Sequence, residues 1–211
     1  MPAIAWPLAL VLFCSAGGTL HVQAQSDTPM TDATLVSFDF ADSDEGWRIA
    51  TDSGIGDPLF KPSGGHPAGH ITGVDEALGE TWYFVAPPSA VRQLTAAENG
   101  TLSYAIKQST DVDGGFLDDD IVIVGIPGRI GYRFGTGNAP GTAWKDFSVR
   151  LSADAGWRWN WGAPATQAQI RSVLASPLSL AIRGEYFTGE DEGSLDNVRL
   201  LAAPPYPAHP Q

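Results

Sequence analysis

The sequence predicts a mostly β protein, a single β-sandwich with one short helix, and three observations lead there. Short runs rich in β-branched and aromatic residues alternate with Gly, Asp and Pro punctuation, at intervals that suit a sandwich better than a βαβ repeat. Only one stretch carries a helical period. The chain has one cysteine, Cys14, so a packed core and not a set of disulfides must hold the fold. The length allows such a core in one domain, and there is no internal repeat and no second core.

The chain opens on an apolar run, Ile4 to Ala16, too short to span a bilayer, followed by polar residues ending in Val22-Gln23-Ala24. Small residues at the third and first positions before Gln25 fit a secretory cleavage site, although no Lys or Arg precedes the run. Residues 1–24 are therefore expected to be a signal peptide, and the protein to be secreted to the extracellular space, or to the periplasm in a bacterium. Pro7 and Gly17-Gly18-Thr19 argue against a stable membrane anchor, and the large Phe13 before Cys14 argues against a lipoprotein site. Residues 25–33 read as a polar leader, 34–201 as the folded domain, and 202–211 as an extended tail punctuated by Pro204, Pro205, Pro207 and Pro210.

Within the domain, strands are predicted near Thr34 to Phe40, Trp47 to Ala50, His70 to Val74, Thr81 to Val85 and Gly100 to Gln108. Further strands follow near Ile121 to Gly125, Ile130 to Phe134, Trp144 to Leu151, Leu178 to Tyr186 and Ser194 to Leu201. The single helix starts at Thr166, which forms a capping-box pattern with Gln169. Ile170, Val173 and Leu174 then share one face, and Pro177 stops the helix.

The formal net charge of -12 lies wholly outside the expected signal, which disfavours nucleic acid and anionic membranes as partners. Calcium, basic partners and neutral glycans all remain compatible with it. Frequent aromatics and a charged fraction of 17% exclude a disordered chain. Asp111-Val112-Asp113-Gly114-Gly115 with Asp118-Asp119-Asp120 has a faint calcium-loop look, but its twelfth position is Val122 and not Glu, so a solvated hairpin loop is expected. Glu190-Asp191-Glu192 reads likewise as a solvated turn. His66 and His70 stand four apart, yet Gly64, Gly65, Pro67 and Gly69 forbid a helix, so zinc is not expected. Asn99-Gly100-Thr101 is a glycosylation sequon or simply a turn before a strand.

Trp157, Trp159 and Trp161 alternate, so on a strand they would share one face; burial under the helix is the favoured reading, with Trp159 or Trp161 the candidates for a reachable ligand-binding surface. Trp47, Trp82 and Trp144 are expected in the core. No Gly-x-Ser-x-Gly elbow, His-Glu-x-x-His or phosphate loop appears. Carboxylates such as Glu185 and Asp196 are available for a hydrolase, but spacing selects no pair, and the chain is not expected to be an enzyme.

Several pieces in order resemble one family: Asp44-Glu45-Gly46-Trp47, Gly64-Gly65-His66-Pro67-Ala68-Gly69-His70-Ile71, Thr81-Trp82-Tyr83-Phe84-Val85-Ala86-Pro87 and Gly100-Thr101-Leu102-Ser103-Tyr104. They continue through Asp119-Asp120-Ile121-Val122-Ile123-Val124-Gly125, Trp144-Lys145-Asp146-Phe147-Ser148-Val149, Ala181-Ile182-Arg183-Gly184-Glu185-Tyr186 and Leu195-Asp196-Asn197-Val198. Over Leu35 to Leu201 the chain resembles the laminin IV type A domain, also called the laminin B domain. The resemblance implies a jelly-roll sandwich, galactose-binding-like and similar to carbohydrate-binding modules, without catalytic activity. The family's cysteine-rich neighbours are absent from this sequence, so a free-standing secreted copy is expected. Ser89 to Glu98 departs from the family's aromatic-led loop.

In jelly rolls of this type the first and last strands lie side by side, which would bring Asp39, carbonyls around Gly46, and Asp196 together. Such a set suits a structural Ca²⁺, which takes roughly six to eight oxygen ligands. The alternative is that Asp196-Asn197 bonds backbone amides at a strand start. The expected function is a secreted module for adhesion or glycan binding, monomeric, with a glycan or an extracellular protein as partner. The alternative is a structural spacer of a cell surface or extracellular matrix.

Overall fold

The computed structural model describes residues 33–74, 81–111, 117–187 and 192–205. The expected signal peptide, the leader up to residue 32 and the tail beyond residue 205 lie outside the described residues. So do residues 112–116 of the acidic cluster and the Glu190-Asp191 part of the acidic turn.

The strands, in chain order, are β1 Thr34–Phe38, β2 Arg48–Thr51, β3 Gly54–Gly56, β4 Leu59–Lys61, β5 His70–Val74, β6 Tyr83–Val85 and β7 Thr101–Gln108. They continue with β8 Ile121–Gly125, β9 Gly128–Tyr132, β10 Lys145–Arg150, β11 Arg158–Trp159, β12 Pro177–Arg183 and β13 Glu192–Leu201. Two helices interrupt them, α1 Pro88–Gln93 and α2 Gln167–Ala175. The strands form two antiparallel sheets. One is six-stranded in the order β10-β7-β13-β5-β4, with β1 also on β13; the other is seven-stranded in the order β11-β9-β8-β12-β6-β2-β3.

The expected pairing of first and last strands is present, with Thr34 opposite Leu201 and Phe38 opposite Val198. β13 is the spine of its sheet. One edge follows β7 throughout; the other pairs with β5 as far as Leu195 and with β1 from Val198. The change of partner falls at a bulge beginning at Asp196, where Asn197 takes a left-handed φ of 51° that Asn tolerates better than most residues.

The two sheets close on aromatic and aliphatic side chains. Trp47 meets Phe38 and Phe40 edge-on at 5.5 and 6.2 Å, and Trp82 meets Phe84 at 5.0 Å. Trp47, Trp82 and Trp157 are fully buried. Trp82 fits because Gly73, Gly184 and Gly193 line its indole; a Cβ at Gly73 would stand 2.5 Å from the ring. Fully burying a side chain the size of Phe84 contributes about 1.5–3 kcal/mol before entropy is counted, which suits a chain that relies on its core. Trp144, by contrast, is not in the core. It lies partly exposed against the six-stranded sheet, its Nε1 donating to the Gly64 carbonyl at 3.1 Å and its ring beneath the Lys107 ammonium.

The predicted helix forms as α2. Thr166 accepts the Gln169 N–H, Gln169 answers to the Thr166 N–H at 2.9 Å, and Ile170, Val173 and Leu174 are buried. Pro177 ends it and opens β12. The structure adds α1, which the sequence reading did not contain, across the segment that departs from the family pattern. Pro88 occupies its first turn, where a missing N–H costs nothing, and Ala90 packs inward.

The acidic cluster is not a solvated loop throughout. Asp119 and Asp120 are only 4% and 7% exposed, because three guanidinium groups offset their desolvation: Arg129 and Arg133 on Asp119, Arg183 on Asp120. Asp111 is exposed and binds the Thr142 N–H and hydroxyl at 2.6 and 2.9 Å. Glu192 begins β13 and accepts from Lys61 at 2.6 Å. Among the described residues no helix is long and apolar enough to cross a membrane.

Candidate functional site

Alternation along the strands of the seven-stranded sheet sends Phe84, Ile121, Ile123, Leu180 and Ile182 into the core. Their neighbours Tyr83, Val85, Val122, Val124, Ser179 and Ala181 point the other way and form the half-buried floor of an open groove. The groove has a volume of about 980 Å³. Ile55 of β3 flanks one side, Arg129, Asn160 and Trp161 flank the other, and Thr81, Asp118 and Glu185 stand where β6 and β8 begin and β12 finishes.

The Trp161 wall is built in layers. Arg129 reaches back over Gly131 to Asp119, with Nη2 at 2.5 Å from Oδ2, and its guanidinium lies 4.1 Å from the centroid of the Trp161 ring. Arg133 donates to the other Asp119 oxygen at 3.1 Å. The turn carrying Trp161 is tied down from both sides. Arg129 N–H donates to Asn160 Oδ1, Asn160 N–H donates to the Arg129 carbonyl, both at 3.1 Å, and Arg158 Nη2 donates to the Trp161 carbonyl at 3.0 Å.

Asn160 and Trp161 both hold positive φ, 44° and 63°. The strand therefore ends at Trp159, and the three tryptophans do not line up on one face. Trp157 is sealed in the core with Nε1 on the Arg150 carbonyl at 2.7 Å; Trp159 packs half-buried against the core edge; Trp161 is 70% exposed on the groove.

Groove polarity is uneven. Tyr83 donates its hydroxyl to the Asp119 carbonyl at 3.1 Å, and burial above all pushes its pKa up to about 12, so it stays neutral. Asp118 accepts the Thr81 hydroxyl at 2.5 Å, and Glu185 accepts the Trp82 N–H at 3.3 Å.

The family model described as Laminin B (Domain IV) matches residues 83–211. The chain belongs to this family. The L4b domain of human laminin alpha-2 is similar in structure with a TM-score of 0.62 at 13% identity, covering 82% of this chain and 100% of that one. A family 11 carbohydrate-binding module of a Clostridium thermocellum cellulosomal cellulase gives 0.43 at 14% identity, covering 80% and 87%. The N-terminal cellulose-binding domain of Cellulomonas fimi β-1,4-glucanase C gives 0.43 at 20% identity, covering 77% and 92%. No curated protein matches the chain.

In this laminin B chain the carboxylates expected to hold calcium sit around the β1–β13 pair. Asp196 is 1% exposed; its Oδ2 accepts the His66 N–H at 2.5 Å and its Oδ1 the Asn197 N–H at 2.6 Å, while the Asn197 amide returns to the His66 carbonyl. Asp39 is exposed and accepts the Ala41 N–H at 3.2 Å. Gly46, at φ 80°, donates to Asp44 Oδ1 at 2.9 Å. Burial raises the Asp196 carboxyl, the two N–H bonds oppose the rise, and the charge of Asp39 adds to it. Among the described residues no three His, Cys, Asp or Glu side chains are arranged to hold a metal. Glu45 stands by the same pair: its Oε2 accepts the Phe40 N–H at 3.1 Å, and its pKa is raised by burial first and by the charges of Asp39 and Asp196 in addition.

Sequence reasoning did not single out Arg129, Tyr83, Asn160 or Ile55. One signal was available: Arg129, Gly131 and Arg133 alternate, so a strand there presents two cations on one face with a gap between them for Asp119.

Proposed function

We propose that this chain is a secreted, extracellular, non-catalytic module that acts as a monomer and binds carbohydrate in the groove of the seven-stranded sheet. The observation that carries the proposal is Trp161, an indole 70% exposed above an open groove while Trp157 beside it is sealed. Sugar rings offer apolar faces to flat aromatic surfaces, and a tryptophan fixed in advance loses little freedom on binding. An open aromatic groove favours a binding module over a spacer. The groove carboxylates Asp118 and Glu185 are each hydrogen-bonded within the fold, to the Thr81 hydroxyl and the Trp82 N–H.

The test is affinity electrophoresis of the protein through gels containing soluble polysaccharides. Trp161→Ala is expected to weaken retardation about tenfold, roughly 1.4 kcal/mol, and to lower the melting temperature by no more than about 2–4 °C, because the exposed side chain gives up only its contact with the Arg129 guanidinium. Retardation equal to that of the parent overturns the assignment.

A structural calcium at Asp39, Gly46 and Asp196 belongs to the same proposal. It is supported by the proximity of Asp39 to the buried Asp196, whose unfavourable charge a cation would offset. Calcium is expected to raise the melting temperature of chelator-treated protein and to do so less in Asp196→Asn; identical melts with and without chelator rule the ion out.

A further inference from the structure

We infer that the groove takes a neutral, unbranched glycan lying with its C–H faces on the floor, and that it rejects uronic-acid and sulfated chains; this rests on the carbohydrate reading above. The floor comes first. Ala50, Val85, Val122, Val124 and Ala181 offer no side-chain hydrogen-bonding atom to the groove; the floor's hydroxyls are those of Tyr83, which donates to the Asp119 carbonyl, and Ser179. A chain lying there must turn its apolar faces down and its hydroxyls outward, a geometry open to sugars whose hydroxyls are equatorial.

Charge comes second. Among the described residues lining the groove Arg129 is the one cation, and it is tied: Asp119 holds it at 2.5 Å, Trp161 covers it at 4.1 Å, and its side chain is 10% exposed. It works as a prop for the indole and not as a hook for an anion. The exposed carboxylate of the lining, Asp118, stands at one end and repels a carboxylate or sulfate brought along the floor, while Glu185 at the same end is buried. The net charge of -12 acts in the same direction at longer range.

The third element is the shape of the wall. Asn160 and Trp161 both sit at positive φ, where glycine is the usual occupant and a bulky side chain is strained. Three hydrogen bonds, two between Arg129 and Asn160 and one from Arg158 to the Trp161 carbonyl, hold that conformation. One ring face is taken by the guanidinium, so the indole is presented in one fixed attitude to whatever occupies the groove.

The test compares neutral polysaccharides (hydroxyethylcellulose, lichenan) with anionic ones (heparin, polygalacturonate) at low and high salt, for the parent and Trp161→Ala, with melting curves as a folding control. A neutral chain is expected to bind with little salt dependence, at least about tenfold more tightly than either anionic chain, and to lose about tenfold in Trp161→Ala. Asp118→Asn is expected to narrow the gap between neutral and anionic chains. Tighter binding of an anionic chain that is lost in Trp161→Ala overturns the neutral class and leaves the carbohydrate groove standing. Binding of nothing, or binding indifferent to Trp161→Ala in a variant that remains folded, overturns both.

Discussion

Asp119 shows how much one side chain organises here. It is 3% exposed on its side chain and bonded to Arg129 and Arg133, and through Arg129 it supports Trp161. Removing a buried partner strands the remaining charge, so Asp119→Ala is expected to cost about 3–5 kcal/mol in urea unfolding and to weaken the binding proposed for the groove as well. Asp120 and Asp196 behave differently, because burial raises both carboxyls. Between the ordinary carboxylate range and their raised values the folded state holds more protons than the unfolded state. Stability from these two groups is therefore present below the ordinary range and lost as pH rises through the raised values. Burial lowers the His70 pKa, so that group loses stability as pH falls from neutral; the readout is therefore the difference in melting temperature between the parent and Asp120→Asn, which is expected to move in the parent's favour as pH is lowered into that window. Glu98 and Asp111, whose pKa values are lowered by Arg171 and Thr142 respectively, act only at lower pH and do not mask it.

Among the elements, α2 was legible because its information is local: Thr166, Gln169 and the spacing of Ile170, Val173 and Leu174 all lie within one segment. Thr166→Ala removes the hydroxyl arm of the capping box, the bond accepted from the Gln169 N–H, and is expected to cost about 1 kcal/mol, a fall of roughly 2–4 °C in melting temperature. The longer strands were legible for the same reason. β3 and β4 were not, since three-residue strands such as Gly54–Gly56 exist only through partners on β2 and β5. α1 was hidden by its prolines, which read as a stop although Pro88 opens the helix. Trp161 was named from sequence, but not the groove it serves. The groove depends on which strands lie side by side, and the attitude of the indole depends on two left-handed residues, neither of which is glycine.

For the molecule as a whole, the central fact is β13, flanked by β7 on one side and by β5 and β1 on the other. Its backbone N–H groups are enclosed by neighbours from nearly the whole length of the domain. They are expected to show the slowest hydrogen exchange, at the rate set by global unfolding, while the edge strands β3 and β11 exchange by local opening. Faster exchange in β13 than in β8 would contradict this. The same placement governs the order of assembly. Until Leu201 has emerged from the ribosome, β1, β5 and β7 lack the strand that joins them, so the six-stranded sheet has no centre during most of synthesis. The domain must wait for its last strand before the six-stranded sheet can close around it.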